Sequence, residues 1–146
     1  MKVLVVYDSV YGNTKKIAET VAKELGKDLK TVSVSDFKSK DLTGINLLVV
    51  GSPILSFSPS EKTGKFLAGL GAGQLKGIQA AAFDTRVRIF FHGDAAKKIA
   101  TGLKQAGADI VAEPCGFIVE GREGPLAADT LQKARDWAAS FKSNLK

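Results

Sequence analysis

The chain has 146 residues, of which 45% are hydrophobic and 25% charged, a balance that excludes a disordered protein and fits one globular domain spanning 1–146. Its formal net charge of +6 would suit nucleic acid or anionic surfaces, but the lysines occur mostly as helical pairs such as Lys15-Lys16 and Lys97-Lys98. Without a dense basic run we expect no nucleic-acid partner. The charge is interpreted as solvated helix faces or as a surface for an acidic protein.

Cysteine and hydropathy patterns exclude further classes. The single Cys115 cannot form an intrachain disulfide, and with the single His92 it cannot complete a standard zinc site, so no metal is expected. No apolar run is long enough to span a bilayer, and Asp8 interrupts the apolar start before it reaches signal-peptide length. We expect a cytoplasmic protein without membrane attachment, in which Cys115 is a small buried residue.

The first half of the chain alternates apolar strands with helical patterns. A helix is expected to begin near Asn13 and to end at Gly26, in a left-handed cap. A short helical turn is expected within 35–43. The predicted strands are 2–7, 29–34 and 45–50, the first and third of them apolar throughout, as in parallel strands covered on both faces.

The second half continues the alternation. After a short helix near Phe66, a strand of small residues is expected at 78–83. Asp94 is a good N-cap for a helix that ends at Gly107. A fifth strand follows, broken into 109–112 and 117–119. Pro125 is expected in the first turn of a last helix. The apolar face that this helix presents to the sheet comprises Leu131, Ala134, Trp137, Ala138 and Phe141.

Five strands alternating with helices predict an α/β, doubly wound parallel sheet, and 2-1-3-4-5 is the commonest order for five strands. Ligands of such sheets bind outside the carboxyl ends of the strands, at the point where the order reverses. We name the segments there the first loop (8–14), the second loop (51–60) and the third loop (84–94). These three loops are the predicted site.

The first loop enters a helix N-terminus, where unpaired N–H groups and the positive dipole end favour an anion such as phosphate. The chain has no G-x-x-x-x-G-K-[ST] sequence, which excludes a P-loop NTPase, and no G-x-G-x-x-G after the first strand, which argues against a dinucleotide site. A phosphoacceptor receiver needs several carboxylates, yet the first strand offers only Asp8 and the third offers none. A monophosphate held by hydroxyl and backbone groups remains.

The sequence Gly12-Asn13-Thr14 at a helix start resembles the phosphate loop of the flavodoxin family, and Gly51-Ser52-Pro53 after the third strand strengthens the resemblance. Asp84-Thr85-Arg86 and the segment 117–125 are similar to those of small flavodoxin-like proteins. The resemblance covers nearly the whole chain. It implies a flavodoxin-like fold, FMN as cofactor and no catalytic residue, since the flavin carries the redox chemistry.

Carried over to this chain, the resemblance assigns the first loop to the FMN phosphate and the other two loops to the two sides of the isoalloxazine ring. Gly12 would let the backbone approach the phosphate closely. The residues expected at the phosphate are Ser9, Val10, Tyr11, Gly12, Asn13 and Thr14. Those expected beside the ring are Pro53, Ile54, Leu55, Ser56 and Phe57 on one side and Asp84, Thr85 and Arg86 on the other.

The family resemblance leaves three functions open. The first is a carrier that passes single electrons to or from a redox partner protein, with an acidic docking surface on the partner and the carrier itself a monomer or weak dimer. The second is a small NAD(P)H-dependent quinone or flavin reductase. The third is a flavin-free interaction module.

Three features depart from the family. The second loop offers only Phe57 as a ring-stacking aromatic, with Phe90 of the third loop as the other candidate. The second loop also lacks a glycine between Leu55 and Ser58. Finally, the protein is cationic, and Arg86 and Arg88 are expected to make the flavin easier to reduce. Glu120, Arg122 and Glu123 are expected to form an ion-pair cluster at the sheet edge.

Overall fold

A mainly parallel sheet lies between two helical layers in the computed structural model, which describes residues 1–26, 28–55, 57–88 and 93–146. The helices are α1 (Asn13–Leu25) and α4 (Thr130–Lys142) on one face and α2 (Glu61–Ala68) and α3 (Ala95–Gln105) on the other. A 3-10 turn at Ser39–Leu42 confirms the short helical turn predicted there. Among the described residues, no helix has both the length and the apolar character needed to cross a membrane.

The described strands are β1 (Lys2–Tyr7), β2 (Asp28–Ser33), β3 (Leu47–Leu55), β4 (Ser58–Pro59), β5 (Gln79–Val87), β6 (Asp109–Ile110) and β7 (Cys115–Val119). Their order is β2-β1-β3-β5, and both β6 and β7 pair in parallel with β5. β6 and β7 are the two halves of the broken fifth strand, so the predicted doubly wound order is confirmed. β4 was not predicted, and pairs antiparallel with the end of β3.

Two strands run further than the sequence patterns indicated. β3 continues to Leu55 and β5 to Val87, paired as far as Pro53 and Thr85. Proline is tolerated in β3 because β1 has already ended on that side. The last β1–β3 hydrogen bond runs from the Asp8 N–H to the Gly51 carbonyl, at 3.0 Å. Because backbone groups alternate along a strand, the backbone nitrogen of Pro53 points to the same side as the Gly51 carbonyl. No β1 residue lies there to accept a hydrogen bond, so the missing N–H of Pro53 costs nothing. The starts of the second and third loops are therefore strand.

Two predictions of helix ends are confirmed. α1 begins at Asn13, and the Asp94 carboxylate accepts from the Lys97 N–H at 2.9 Å to cap α3. The left-handed cap predicted at Gly26 is wrong, because the residue has φ 166°, an extended conformation. Its N–H still bonds to the Ala22 carbonyl at 3.3 Å, so α1 ends there without the left-handed turn.

The position predicted for Pro125 is also wrong, since α4 begins only at Thr130. The chain first folds back beside β7: the Glu120 N–H donates to the Pro125 carbonyl at 2.8 Å, and Val119 bridges Leu126 in antiparallel fashion. The backbone after β7 therefore forms a hairpin-like excursion and not the first turn of a helix. This excursion places residues 120–125 beside the predicted site.

The two faces of the sheet build two apolar cores. One packs under α2 and α3, and the other under α1 and α4. In the second core Trp137 lies edge-on against Phe83, Phe117 and Phe141, with ring centroids 5.0–6.0 Å apart. Leu131, predicted on this buried face, is instead 37% exposed.

We predict opposite effects for alanine at two glycines. A Cβ at Gly51 would lie 2.0 Å from the Cζ atom of buried Phe83, whereas a Cβ at Gly64 in α2 meets nothing within 4 Å. Gly51→Ala should therefore lower the free energy of unfolding by roughly 1–3 kcal/mol through overpacking. Gly64→Ala should raise it by roughly 0.5–1 kcal/mol, since helix backbone entropy favours alanine. Urea unfolding measures both, and equal effects would contradict the packing described for Gly51.

Candidate functional site

The three predicted loops meet in a single cleft of about 630 Å³ at the carboxyl ends of β1, β3 and β5. This volume lies within the roughly 300–1,000 Å³ typical of cofactor sites. The described residues that line it are Ser9, Val10, Tyr11, Asn13, Thr14, Pro53, Ile54, Leu55, Phe57, Thr85, Arg86, Val87 and Arg122. All of these residues except Val87 and Arg122 were expected beside the cofactor, and their part in binding it stays a prediction.

The first loop presents unpaired backbone donors to this cleft. Gly12 adopts φ +93°, which turns the chain directly into α1. The Ser9 hydroxyl caps the helix from outside by accepting from the N–H groups of Gly12, at 3.1 Å, and Lys15, at 3.3 Å. Among the described residues no acceptor takes the N–H groups of Asn13 and Thr14. Two donors at the positive end of α1 are therefore available to an anion.

Polar side chains of the first loop that were expected to bind the phosphate already have hydrogen-bond partners within the protein. The Asn13 amide donates to the Glu123 carbonyl at 3.2 Å, and Asn13 is 8% exposed. The Thr14 and Thr85 hydroxyls are 2.9 Å apart, and one of them donates to the other. Asn13 therefore ties the loop to residues 120–125. The Thr14–Thr85 pair keeps one hydroxyl proton to offer, and so does Ser9, whose hydroxyl acts only as an acceptor in its bonds to Gly12 and Lys15.

Large exposed apolar side chains also line the cleft. Val10, Tyr11, Leu55 and Phe57 are 45–58% exposed, and of the described residues only Met1 and Leu131 join them as exposed large hydrophobics. Exposed apolar groups gathered at one place indicate a ligand or docking surface. The cleft thus combines anion donors with exposed apolar side chains.

Phe57 is held in a strained conformation. Its φ of +66° is costly for a residue with a Cβ, by about 1 kcal/mol or more. The Lys98 ammonium donates to the Phe57 carbonyl at 3.2 Å and to the Ser58 hydroxyl at 2.9 Å, which fixes the loop from α3. The second loop therefore adopts without glycine the backbone conformation that glycine would adopt most easily.

Asp84 does not line the cleft, contrary to the prediction that it lies beside a ligand. Its carboxylate is fully buried on the α3 side, where it accepts from the Ala96 N–H at 2.9 Å and from the Arg86 guanidinium at 2.7 and 2.8 Å. Side chains alternate along β5, so Thr85 faces the first loop while Asp84 faces away. Asp84 anchors the start of α3 and orients Arg86.

The charges of Arg86 and Arg88 are largely offset within the protein. The hydrogen bonds that Arg86 donates to the Asp84 carboxylate raise the pKa of Arg86, which stays charged but paired. Arg88 pairs with Glu120 at 3.2 Å. The expectation that these two arginines favour flavin reduction assumed unpaired positive charges, and both charges are paired. The predicted cluster of Glu120, Arg122 and Glu123 is also wrong: among the described residues Arg122 has no ion-pair partner.

Cys115 is partly buried in β7, beside the Asp84–Arg86 pair. Burial, together with the negative charge of Asp84, raises the pKa of its thiol to about 11, while Arg86 opposes the shift. The residue is therefore a protonated thiol at neutral pH. This agrees with the structural role predicted for it.

Sequence reasoning missed two lining residues and misjudged others. Val87 lies in the third loop but was not among the residues expected beside the ring, and Arg122 was missed because the excursion after β7 carries no periodic signal. Gly12 shapes the loop without lining the cleft. The predictions for Ser56, Phe90 and His92 lie outside the described residues.

We predict that the buried Asp84–Arg86 pair is structural. Asp84→Asn leaves Arg86, only 16% exposed at its side chain, with the more distant and half-exposed Asp94 carboxylate at 3.5 Å as its counter-charge, and should cost about 2–4 kcal/mol of unfolding free energy. The matched control is Glu61→Gln, which removes the exposed Glu61–Lys65 pair and should cost less than about 0.5 kcal/mol. Urea unfolding of the two variants compares them. Similar losses in both would mean that burial of Asp84 contributes nothing.

We also predict slow alkylation of Cys115. With a pKa near 11 in place of 9.0, its thiolate fraction at pH 8 falls about 100-fold. Iodoacetamide at pH 8 should therefore modify the native protein at least about tenfold more slowly than the urea-unfolded chain. The native rate should still rise above pH 9. A native rate equal to the unfolded one would contradict the assigned shift.

Comparisons with known proteins agree with this architecture. A curated flavodoxin from Clostridium beijerinckii is 44% identical over 50 residues, which span 32% of this chain and 36% of that protein. Oxidised flavodoxin 1 from Bacillus cereus superposes with a TM-score of 0.84 at 17% identity, over 100% of both chains. A flavodoxin from the domain Archaea superposes with a TM-score of 0.79 at 22% identity, over 99% of this chain and 98% of that one.

These structural likenesses, at such low identity, support the fold. The family is supported separately, because the flavodoxin family model matches residues 5–137. Since this match includes the end of the first predicted strand, the first loop, the other four predicted strands and most of α4, the chain belongs to the flavodoxin family, whose members bind FMN.

Proposed function

We propose that this protein binds FMN in the cleft of the three loops and carries single electrons to or from a redox partner protein. One observation carries the proposal: Asn13 and Thr14, whose N–H groups have no acceptor among the described residues, line the same cleft as four exposed apolar side chains, those of Val10, Tyr11, Leu55 and Phe57. A ligand that joins a phosphate to a flat apolar ring matches both features.

The phosphate end is proposed to rest on the first loop. The N–H groups of Asn13 and Thr14 donate to phosphate oxygens, and Gly12 and Ser9 hold the loop in the required shape. The Thr14 hydroxyl donates to the phosphate while accepting from Thr85. Each hydrogen bond to a charged acceptor contributes roughly 1.5–3 kcal/mol, so a few of them suffice to discriminate FMN from riboflavin.

The ring is proposed to lie against Pro53, Ile54, Leu55 and Phe57, with Val87 on the other wall. Bound FMN would supply one-electron chemistry, while these side chains orient it and exclude water from its buried side. Asp84 is left out of the ring contacts, and its part is to fix Arg86 and the start of α3.

Electron transfer is proposed to occur beside the exposed apolar side chains of the cleft. The apolar side chains there leave a ring edge within reach of a second protein, and the net charge of +6 favours an acidic docking surface on that partner. The protein is proposed to work as a monomer or weak dimer. Hydride transfer from NAD(P)H to the purified flavoprotein would instead support a reductase.

We predict that Thr14→Val weakens FMN binding by about 10-fold or more while leaving riboflavin binding unchanged. The variant keeps the shape of the side chain but removes the hydroxyl donor, and a hydrogen bond to phosphate is worth roughly 1.5–3 kcal/mol. Quenching of flavin fluorescence on titration with the protein measures both affinities.

The control is Thr20→Val on the same helix, whose hydroxyl bonds to the Lys16 carbonyl on an exposed face. It should leave both affinities unchanged. Equal losses of FMN and riboflavin binding in Thr14→Val would contradict the proposal that the phosphate binds at the first loop. A wild-type protein that quenches neither flavin would indicate a flavin-free module.

A further inference from the structure

The excursion after β7 is held against the first loop by direct contacts. The Gly124 N–H donates to the Gly121 carbonyl at 3.1 Å and closes a four-residue turn, which we call the Gly121 turn (121–124). The Glu123 carbonyl accepts from the Asn13 amide at 3.2 Å, and the Gly124 backbone packs directly on the same amide. The turn and the anion-binding start of α1 therefore form one unit.

Arg122 is at the tip of the Gly121 turn and lines the cleft together with Ser9, Asn13 and Thr14. Among the described residues it is the cation of the cleft that lacks an ion-pair partner, since Arg86 is paired with Asp84. Glu120, the acidic residue nearest before it, is paired with Arg88. Glu123 follows Arg122 in the turn but is not among the described residues that line the cleft, so Arg122 brings a positive charge to the cleft wall.

An arginine placed in this way favours a compact dianion. Its guanidinium can offer two parallel N–H groups to phosphate oxygens, in addition to the backbone donors of α1. Arg122 is exposed, so water and salt screen its charge and the gain in binding is moderate. A screened contribution of this kind is recognised by its dependence on ionic strength.

We propose that Arg122 is a specificity residue that closes over the phosphate of the bound flavin and selects flavins bearing a phosphate monoester. The inference rests on the proposed function, since it assumes that the cleft binds a flavin phosphate at the first loop. It adds a cation to a phosphate site that the sequence alone predicted to be built from hydroxyl and backbone groups only.

The test is flavin titration of Arg122→Gln with FMN and with riboflavin. FMN affinity should fall about 3- to 20-fold at an ionic strength near 0.02 M, and the loss should shrink toward wild type near 0.5 M, because salt screens an exposed charge. Riboflavin affinity should not change. Arg122→Lys should recover part of the loss, since it restores the charge without the bidentate geometry.

The matched control is Lys104→Gln, which removes the same charge at the far end of α3, away from the cleft. It should leave the ratio of FMN to riboflavin affinity unchanged. If Arg122→Gln retains the wild-type ratio, or loses both flavins equally, Arg122 does not contact the phosphate and the inference fails. A wild-type protein that binds FMN no better than riboflavin would overturn the proposed phosphate site itself.

Discussion

Backbone N–H groups at the start of α1 are the constraint around which the cleft is arranged. The first N–H groups of any helix have no carbonyl acceptor within that helix. Here Ser9 takes two of them, and those of Asn13 and Thr14 remain open to the cleft. The glycine conformation at Gly12 makes this possible, because it turns the chain into the helix without an intervening residue.

The remaining walls are supported by interactions that lie behind them. Buried Asp84 joins β5 to the start of α3 and positions Arg86. From the same helix Lys98 reaches the strained backbone at Phe57, so α3 braces the second loop as well. The Gly121 turn is bound to Asn13 from the other side. Each loop of the cleft is thus held by contacts outside it, which suits a site that orients a cofactor rather than one that closes around a substrate.

Local patterns predicted the part of this arrangement that depends on local chemistry. Apolar runs identified β1 and β3, and the Asp94 cap was recognisable from its residue type. The position of the first loop before a helix predicted an anion site there, and the N–H groups of Asn13 and Thr14 are the donors that this prediction needs. Which residues pair between strands could not be predicted from local patterns. Pro53 and Thr85 extend their strands only because each finds a partner in the other strand, and Arg122 reaches the cleft only because Pro125 is bound to Glu120. Side-chain direction was also hidden: Asp84 and Thr85 are neighbours in sequence but face opposite sides of β5.

The central claim is that backbone N–H groups at the start of α1 hold the phosphate of FMN. The most direct test follows the amide resonances of Asn13 and Thr14 in ¹⁵N-labelled protein during titration with FMN and with riboflavin. Hydrogen bonding to a phosphate dianion should move both amide protons downfield with FMN, while riboflavin, which lacks the phosphate, leaves them nearly in place. Equal shifts with the two flavins, or shifts confined to the second loop, would contradict the claim.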